Sequence, residues 1–555
     1  MAAISAQQST RTVRGLASAI GLAIVAMAAG LAIAVAIGAG IKVTMLVAGL
    51  FAPFALLVVF ARPHWATIVY VALVYADLLS ILVEYQGLPP LARLAGSLLL
   101  SSVLGFRLII HKRGLVADTM SWWMVAYGLV LALGLLFARS PDRVMTELVE
   151  FGRGFLTYLV VINTLTTVGR IKGALYALLA TGVLLASLTV LQTVTGDFSN
   201  DFGGLAQAKV TGITELSEAP RPGGTIGDAN YYGQNLLLVL PFGLYLASRG
   251  RKPLGRLAGV VATMVLIAAV IFTYSRGDLL ALVAIVFAAL LYKKPPLPLI
   301  LSGLVLLGLL LSFLPTTYFA RLSALVEIAG GNRSAIIAES SLRGRAGAVA
   351  AAVGMFADHP ILGVGRNNYP LYELDYVAGT SLALKSQGIP PHDLYLEIAA
   401  EQGVVGLIVM AGILLTAAQA LREARRRFLA LGDGSAAELV VWLGIGLFGY
   451  LVTSVFLHGA FLYMLWLQLA LIVAARQVAR SGSIIEWRNP ITAPLPSLPG
   501  DAEHEDRIRA RLESWVSPAV HSEASQTADS KNAVPPGRRQ AQLHEAARKA
   551  RSHRD

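Results

Sequence analysis

Three side chains stand out for what their type and setting could do. His392 lies in Pro390-Pro391-His392-Asp393-Leu394-Tyr395, ahead of a run that reaches Gly403. Proline suits a helix first turn and glycine marks a bend, so the spacing predicts a helix with His392 in its first turn. There the dipole disfavours imidazolium, which keeps the ring neutral and able to accept a proton. A purely structural cap is the other reading. Arg276 sits in Tyr274-Ser275-Arg276-Gly277-Asp278, at the outer mouth between two hydrophobic spans. A guanidinium there can hold a phosphate through two parallel hydrogen bonds; it can equally snorkel or pair with Asp278. Arg345 opens an amphipathic stretch closed by His359-Pro360. A cation at a helix start opposes the dipole, so a bound anion would compensate; a solvated loop arginine is the alternative. Arg343, two residues earlier, is an equally good candidate by composition.

Other candidates read as scaffold. His359 precedes a proline in a turn, and His458 sits in a short loop beside Gly459. Gly363-Val364-Gly365 is a turn signal without the strand–helix setting of a nucleotide loop. Arg139, Arg143 and Arg153 share a short segment with Asp142, Glu147 and Glu150, so local pairing accounts for them. No histidine or carboxylate cluster has metal-site spacing, Glu373-Leu374-Asp375 coming nearest. No metal and no cofactor is expected, and the absence of cysteine excludes disulfides and thiolate sites.

The elements that must position these residues follow from composition. The chain has 555 residues, 56% hydrophobic and only 14% charged, with a mean hydropathy of +0.66. This excludes a soluble enzyme, a disordered chain and a fibrous one, and leaves an all-α polytopic membrane protein. Apolar runs of about 20 residues fall near 16–38, 43–61, 66–84, 92–110, 121–138, 154–169, 173–195, 229–247, 257–275, 278–292, 297–315, 403–420, 438–456 and 459–476. That is about 14 transmembrane helices, within a range of 12–14. The start reads as a first span rather than a cleaved leader.

Charge orients the spans. With the N-terminus inside, 20 basic residues fall in inside segments, among them Arg170, Lys172, Arg249, Lys293, Arg422, Arg427, Arg476 and Arg480. The phase holds from end to end and puts both termini in the cytoplasm. The net charge of +12 therefore concerns topology rather than nucleic acid. The domain reading is a cytoplasmic N-terminus at 1–15, a membrane domain at 16–481 and a disordered cytoplasmic tail at 482–555. Two long loops fall outside, 196–228 and 316–402, and the second reads as folded and helical. Most spans lack central charges, and Asp77 is one exception.

Taken together, Arg345-x13-His359-Pro360-x2-Gly363-Val364-Gly365 followed by His392-Asp393-x-Tyr395-Leu396-x4-Glu401-x-Gly403 resembles the signature of the O-antigen ligase and Wzy-type polymerase superfamily. Ser275-Arg276-Gly277 resembles the family's arginine at an outer membrane end. Arg221-Pro222-Gly223-Gly224-Thr225-Ile226-Gly227-Asp228-Ala229-Asn230 resembles its motif in the preceding outer loop. The likeness covers roughly 215–420. The chain departs from the pattern at Asp393, where the family usually has Asn, and at Val349, where it often has Trp.

The resemblance implies a GT-C-like membrane glycosyltransferase, inverting and metal-independent, at the outer face of the bacterial inner (cytoplasmic) membrane. Its donor would be a glycan on undecaprenyl diphosphate, and its acceptor a sugar hydroxyl on lipid A core or a similar glycan. Polysaccharide assembly or export proteins are possible partners; nucleic acid is not. Residue by residue, His392 would be the general base, Arg276 and Arg345 would hold the diphosphate, and Arg221 would assist. A Wzy-type polymerase shares this donor chemistry, a protein O-oligosaccharyltransferase is a related option, and a lipid-linked oligosaccharide flippase is the alternative from another class.

Overall fold

The computed structural model describes residues 62–85, 87, 101–105, 108–109, 114–214, 217–250, 252–297, 301, 305, 308, 340–378, 391–459 and 462–482. The chain divides into two compact units, Met1–Glu486 and Trp487–Asp555, and every described residue lies in the first. The expected spans at 16–38 and 43–61, most of those at 92–110 and 297–315, the segment 1–15, the tail beyond 482 and the side chain of Arg343 lie outside the described residues.

Helices begin where the chain offers a cap and continue through apolar sequence. α1 (Pro63–Tyr75) and α2 (Leu78–Glu84) meet at a 61° bend. α3 (Thr119–Leu133) starts behind Asp118, whose carboxylate accepts from the Ser121 amide at 3.0 Å while Ser121 Oγ accepts from the Asp118 amide. α4 (Pro141–Thr164) starts on a proline, and α5 (Val168–Thr195) is capped by Thr167. α6 (Ala229–Arg249) is capped by Asp228, α7 (Pro253–Phe272) starts on a proline, and α8 (Arg276–Lys293) is capped by Ser275. Then come α9 (Ser340–Asp358), α10 (Tyr369–Val377), α11 (Leu394–Ala430) capped by Asp393, α12 (Gly434–Thr453) capped by Asp433, and α13 (Leu462–Ser481). Each such cap contributes about 1 kcal/mol.

Among the described residues, six helices are long and apolar enough to cross a membrane, and the bent pair α1–α2 makes a seventh. α13 is 89% buried over its apolar stretch and α3 only 39%, so α13 belongs to the interior. It packs against α4 and α11, while α6 packs against α7 and α12. Around them Trp122, Leu184, Leu257 and Phe287 point outward. Apolar exposure on so many helices is costly in water and natural in lipid. The chain is a predominantly helical, multi-pass membrane protein.

The bundle has two chemically distinct ends. At one, Glu438 of α12 pairs with Arg249 and Lys293, Asp118 pairs with Arg476, and Glu423 accepts from Arg480 at 2.7 Å. Lys172 donates to Ser435 Oγ there at 3.1 Å. These are basic segments that the charge pattern assigns to one side. The opposite end gathers the turn into α4, the start of α8, the start of α11 and the loop after α12.

Three sequence expectations are corrected. The fold is not purely helical: within 196–228, β1 (Gln207–Thr214) and β2 (Ser217–Gly224) form an antiparallel hairpin with Arg221 opposite Lys209. Pro220 and Pro222 make β2 read as loop, but a two-stranded sheet has free edges where a proline costs no ladder bond. The helix expected at 154–169 begins at Pro141 and ends at Thr164, because the charged residues before 154 sit on helical turns. Of its charges, Arg153 does pair locally, with Glu150 at 2.7 Å. Arg139 instead reaches Asp375 at 2.8 Å and lies over the Tyr372 ring.

Candidate functional site

A backbone junction builds the site end. α11 breaks at Gly403, whose φ of 63° and ψ of −161° lie where glycine alone sits freely. The break would orphan peptide groups, and the segment 360–365 satisfies them. The Val364 and Gly365 amides donate to the carbonyls of Ala400 and Glu401 at 3.0 and 2.9 Å. The Val404 and Val405 amides donate to those of Pro360 and Ile361 at 2.8 and 3.2 Å. A Cβ on Gly363 would strike the Glu401–Gln402 peptide, and one on Gly403 would strike the Ile361 carbonyl. The motif halves around Gly363 and Gly403 are thus two sides of one contact. Below them α9, α10 and the start of α11 share a small core containing Ala352, Met355, Tyr369 and Ala400.

The junction aims Arg366 into a cluster of carboxylates. Its Nη1 lies 2.9 Å from Glu397 Oε1 and 3.0 Å from Glu401 Oε2, and its Nε lies 3.3 Å from Glu147 Oε2. Its Nη2 donates to the Gly459 carbonyl at 2.9 Å, and the Gly459 amide donates to Glu397 Oε2 at 2.6 Å. Arg366 is 4% exposed. Burial pulls its pKa down, but Glu397, Glu401 and Glu147 together outweigh burial and hold it well above the usual arginine range. The cluster ties α4, the 359–368 turn, α11 and the 454–459 loop together.

That loop brings a second histidine to the first. His392 precedes the cap Asp393, and its φ of 48° places it in the left-handed region. It is therefore outside the helix rather than in the first turn, and Asp393 takes the amides of Tyr395 and Leu396 at 2.9 and 3.0 Å. The Leu394 amide donates to the Ser454 carbonyl at 2.9 Å, pinning this turn to the end of α12. The rings of His392 and His458 meet edge-on, 5.5 Å between centroids. His458 Nδ1 lies 2.5 Å from the Tyr231 hydroxyl. Burial, then His458 and Arg345, lowers the His392 pKa to about 4. Burial, then Arg366, brings His458 to about 4 as well. Both rings are neutral at pH 7, through burial first. Among the described residues, the buried His392 Nδ1 has no hydrogen-bond partner.

The arginines approach from three elements. Arg221 of β2 donates through Nε to the Thr273 carbonyl and through Nη2 to Asn230 Oδ1, each at 3.1 Å. This sets it beside the turn that leads into Arg276. Arg276 is the first residue of α8, and its neighbour Gly277 packs on Phe456 of the histidine loop. Arg345 lies in the second turn of α9, not at its start: the helix begins at Ser340, in the polar residues ahead of the apolar pattern. Its charge acts on both His392 and Asp278. The four expected residues thus gather at one end of the bundle. Among the described residues no group of three or more metal-ligating side chains occurs.

Several residues here carried no warning in the sequence. Arg366, Glu147 and Glu397 form one network from three separate segments. His458 had only its place in an outer loop. Asp228 and Tyr231 had a faint signal, since the first ends the glycine-rich stretch after Arg221 and caps α6.

Residues 260–411 match the Wzy_C family model, described as O-antigen ligase. The match spans α7 to the first part of α11 and includes Arg276, Arg345, Arg366, His392 and Gly403; Arg221 and His458 lie outside it. It supports the O-antigen ligase and Wzy-type superfamily. No curated protein matches the chain.

Proposed function

We propose, from the premise that this chain carries an O-antigen-ligase-type domain, that it transfers a glycan from undecaprenyl diphosphate to a sugar hydroxyl at the outer face of the inner membrane. The observation that supports it is His392, held edge-on to His458 on the bundle end that also carries Arg221, Arg276 and Arg345. A neutral imidazole beside cations suits a reaction in which a hydroxyl loses a proton and a diphosphate leaves.

In this reading His392 takes the proton of the acceptor hydroxyl. The oxygen attacks the anomeric carbon from the face opposite the leaving group, so configuration inverts. The bond to the diphosphate breaks, and the diphosphate departs with the electron pair. Arg276, Arg345 and Arg221 supply the countercharge, so no metal ion is required. Arriving diphosphate adds negative charge near His392 and raises its proton affinity when a base is needed. The exposed apolar helix faces leave the polyprenyl tail in lipid.

A polymerase that joins one lipid-linked repeat to another uses the same chemistry. The species that accumulates in a deletion strain separates the readings. Long unligated chains on the lipid carrier indicate a ligase with lipid A core or a similar acceptor. Single repeats on the outer side indicate a polymerase. Repeats held only on the cytoplasmic side indicate a flippase and contradict the proposal.

A further inference from the structure

A cavity of about 250 Å³ opens between α1, α3, α4 and α13. It adjoins the site end, since Arg366 and Gly459 form part of its wall. One side is aromatic: Tyr127, Phe151 and Trp466 pack on one another at 5.4–5.6 Å. Gly154 makes room for the indole, because a Cβ there would meet Trp466. The other side is polar and nearly neutral in sum. Glu150 takes Arg153 at 2.7 Å, and Glu147 takes Arg366 at 3.3 Å. Asp77 adds a third carboxylate, with φ 48° at the bend between α1 and α2, and accepts from Ser80 Oγ at 2.6 Å. Arg153 Nε is buried without a hydrogen-bond partner among the described residues.

We propose that this cavity is a saccharide subsite for the acceptor glycan. Its volume of about 250 Å³ lies just below the range of drug-sized ligand sites, roughly 300–1,000 Å³, and suits a single ring rather than a chain. An acyl tail would strand the ion pairs in hydrocarbon. A diphosphate would meet Asp77, Glu147 and Glu150. A neutral sugar fits both walls: its C–H face lies on aromatic rings, and its hydroxyls bond carboxylates and a guanidinium. The broken helix α1–α2 gives Asp77 a role that a membrane span otherwise lacks. Gly459 in the cavity wall follows His458 in the chain, so the cavity borders the loop that carries the second histidine. The acceptor role rests on the transferase reading; sugar binding itself does not.

The test uses the purified full chain in detergent and a panel of free monosaccharides: glucose, galactose, mannose, rhamnose and N-acetylglucosamine. Saturation-transfer NMR reads binding. At least one sugar should bind. The double variant Asp77→Asn with Glu150→Gln should weaken that binding about tenfold, the scale of a lost charged hydrogen bond. Binding should persist in His392→Ala and in the presence of inorganic diphosphate. The proposal is overturned if no sugar in the panel binds, if the double variant binds normally, or if diphosphate displaces the sugar. Because His392→Ala is read for binding here and for transfer separately, failure of the transferase reading leaves the binding result interpretable.

Discussion

The imidazole of His458 stands edge-on to that of His392, with 5.5 Å between centroids, although 66 positions separate them in the chain. The Tyr231 hydroxyl holds His458 from the other side. Such ring pairs contribute about 0.5–1.5 kcal/mol beyond buried area. If this contact orients the base, His458→Ala should slow glycan transfer about tenfold, and His458→Phe, which keeps the edge contact, should recover most of that rate. Transfer in isolated membranes at matched protein level checks this. Full activity in His458→Ala would remove the positioning role.

Stability should fall on acidification. The pKa of both histidines is lowered to about 4 by burial, against about 6.5 in an unfolded chain. Below pH 6.5 the unfolded chain binds protons that the folded one does not, so the contribution falls with pH and levels off below about 4. The melting temperature of the purified chain should be lower at pH 5 than at pH 7. His458→Phe should reduce that difference, and an unchanged difference would dissociate it from this ring.

Removing Arg366 should be severe. Arg366→Met leaves Glu147, Glu397 and Glu401 facing one another in a buried setting. Breaking such a group from one side costs about 3–5 kcal/mol. Little folded protein should appear in detergent extracts on size-exclusion chromatography. Adding Glu401→Gln should recover part of it by removing one of the three buried acids that then face one another.

Two glycines with similar φ should respond differently. Gly403→Ala puts a Cβ against the Ile361 carbonyl, at a φ of 63°. Gly432, at a φ of 76°, has open space around it. Gly432→Ala should cost about 1–2 kcal/mol, while Gly403→Ala should cost more and disturb the turn that carries Arg366. Thermal unfolding of the two variants side by side reads the contrast.

The helices were legible because a run of about 20 apolar residues has few other folds available; the start of α11 was not, because Pro390 and Pro391 suggest a first turn ahead of His392 while the cap is Asp393. The charge pattern matches the end where Arg249 and Lys293 meet Glu438. The hairpin was hidden by Pro220 and Pro222, which mask strand propensity. The start of α9 was misread at Arg345 because the apolar pattern begins there, while the helix begins in the polar turn before it. The Arg366 network and the His392–His458 contact are long-range pairings set by how α4, α11 and α12 pack. A single sequence shows each residue without its partner.

The general base is the central claim. Transfer should be measured in membranes with lipid-linked donor, comparing the unmodified chain with His392→Ala at equal protein level. Loss of a positioned base costs roughly 10²–10⁴-fold, so the account predicts transfer at or below about one-hundredth of the original rate. Near-normal transfer by His392→Ala would contradict it.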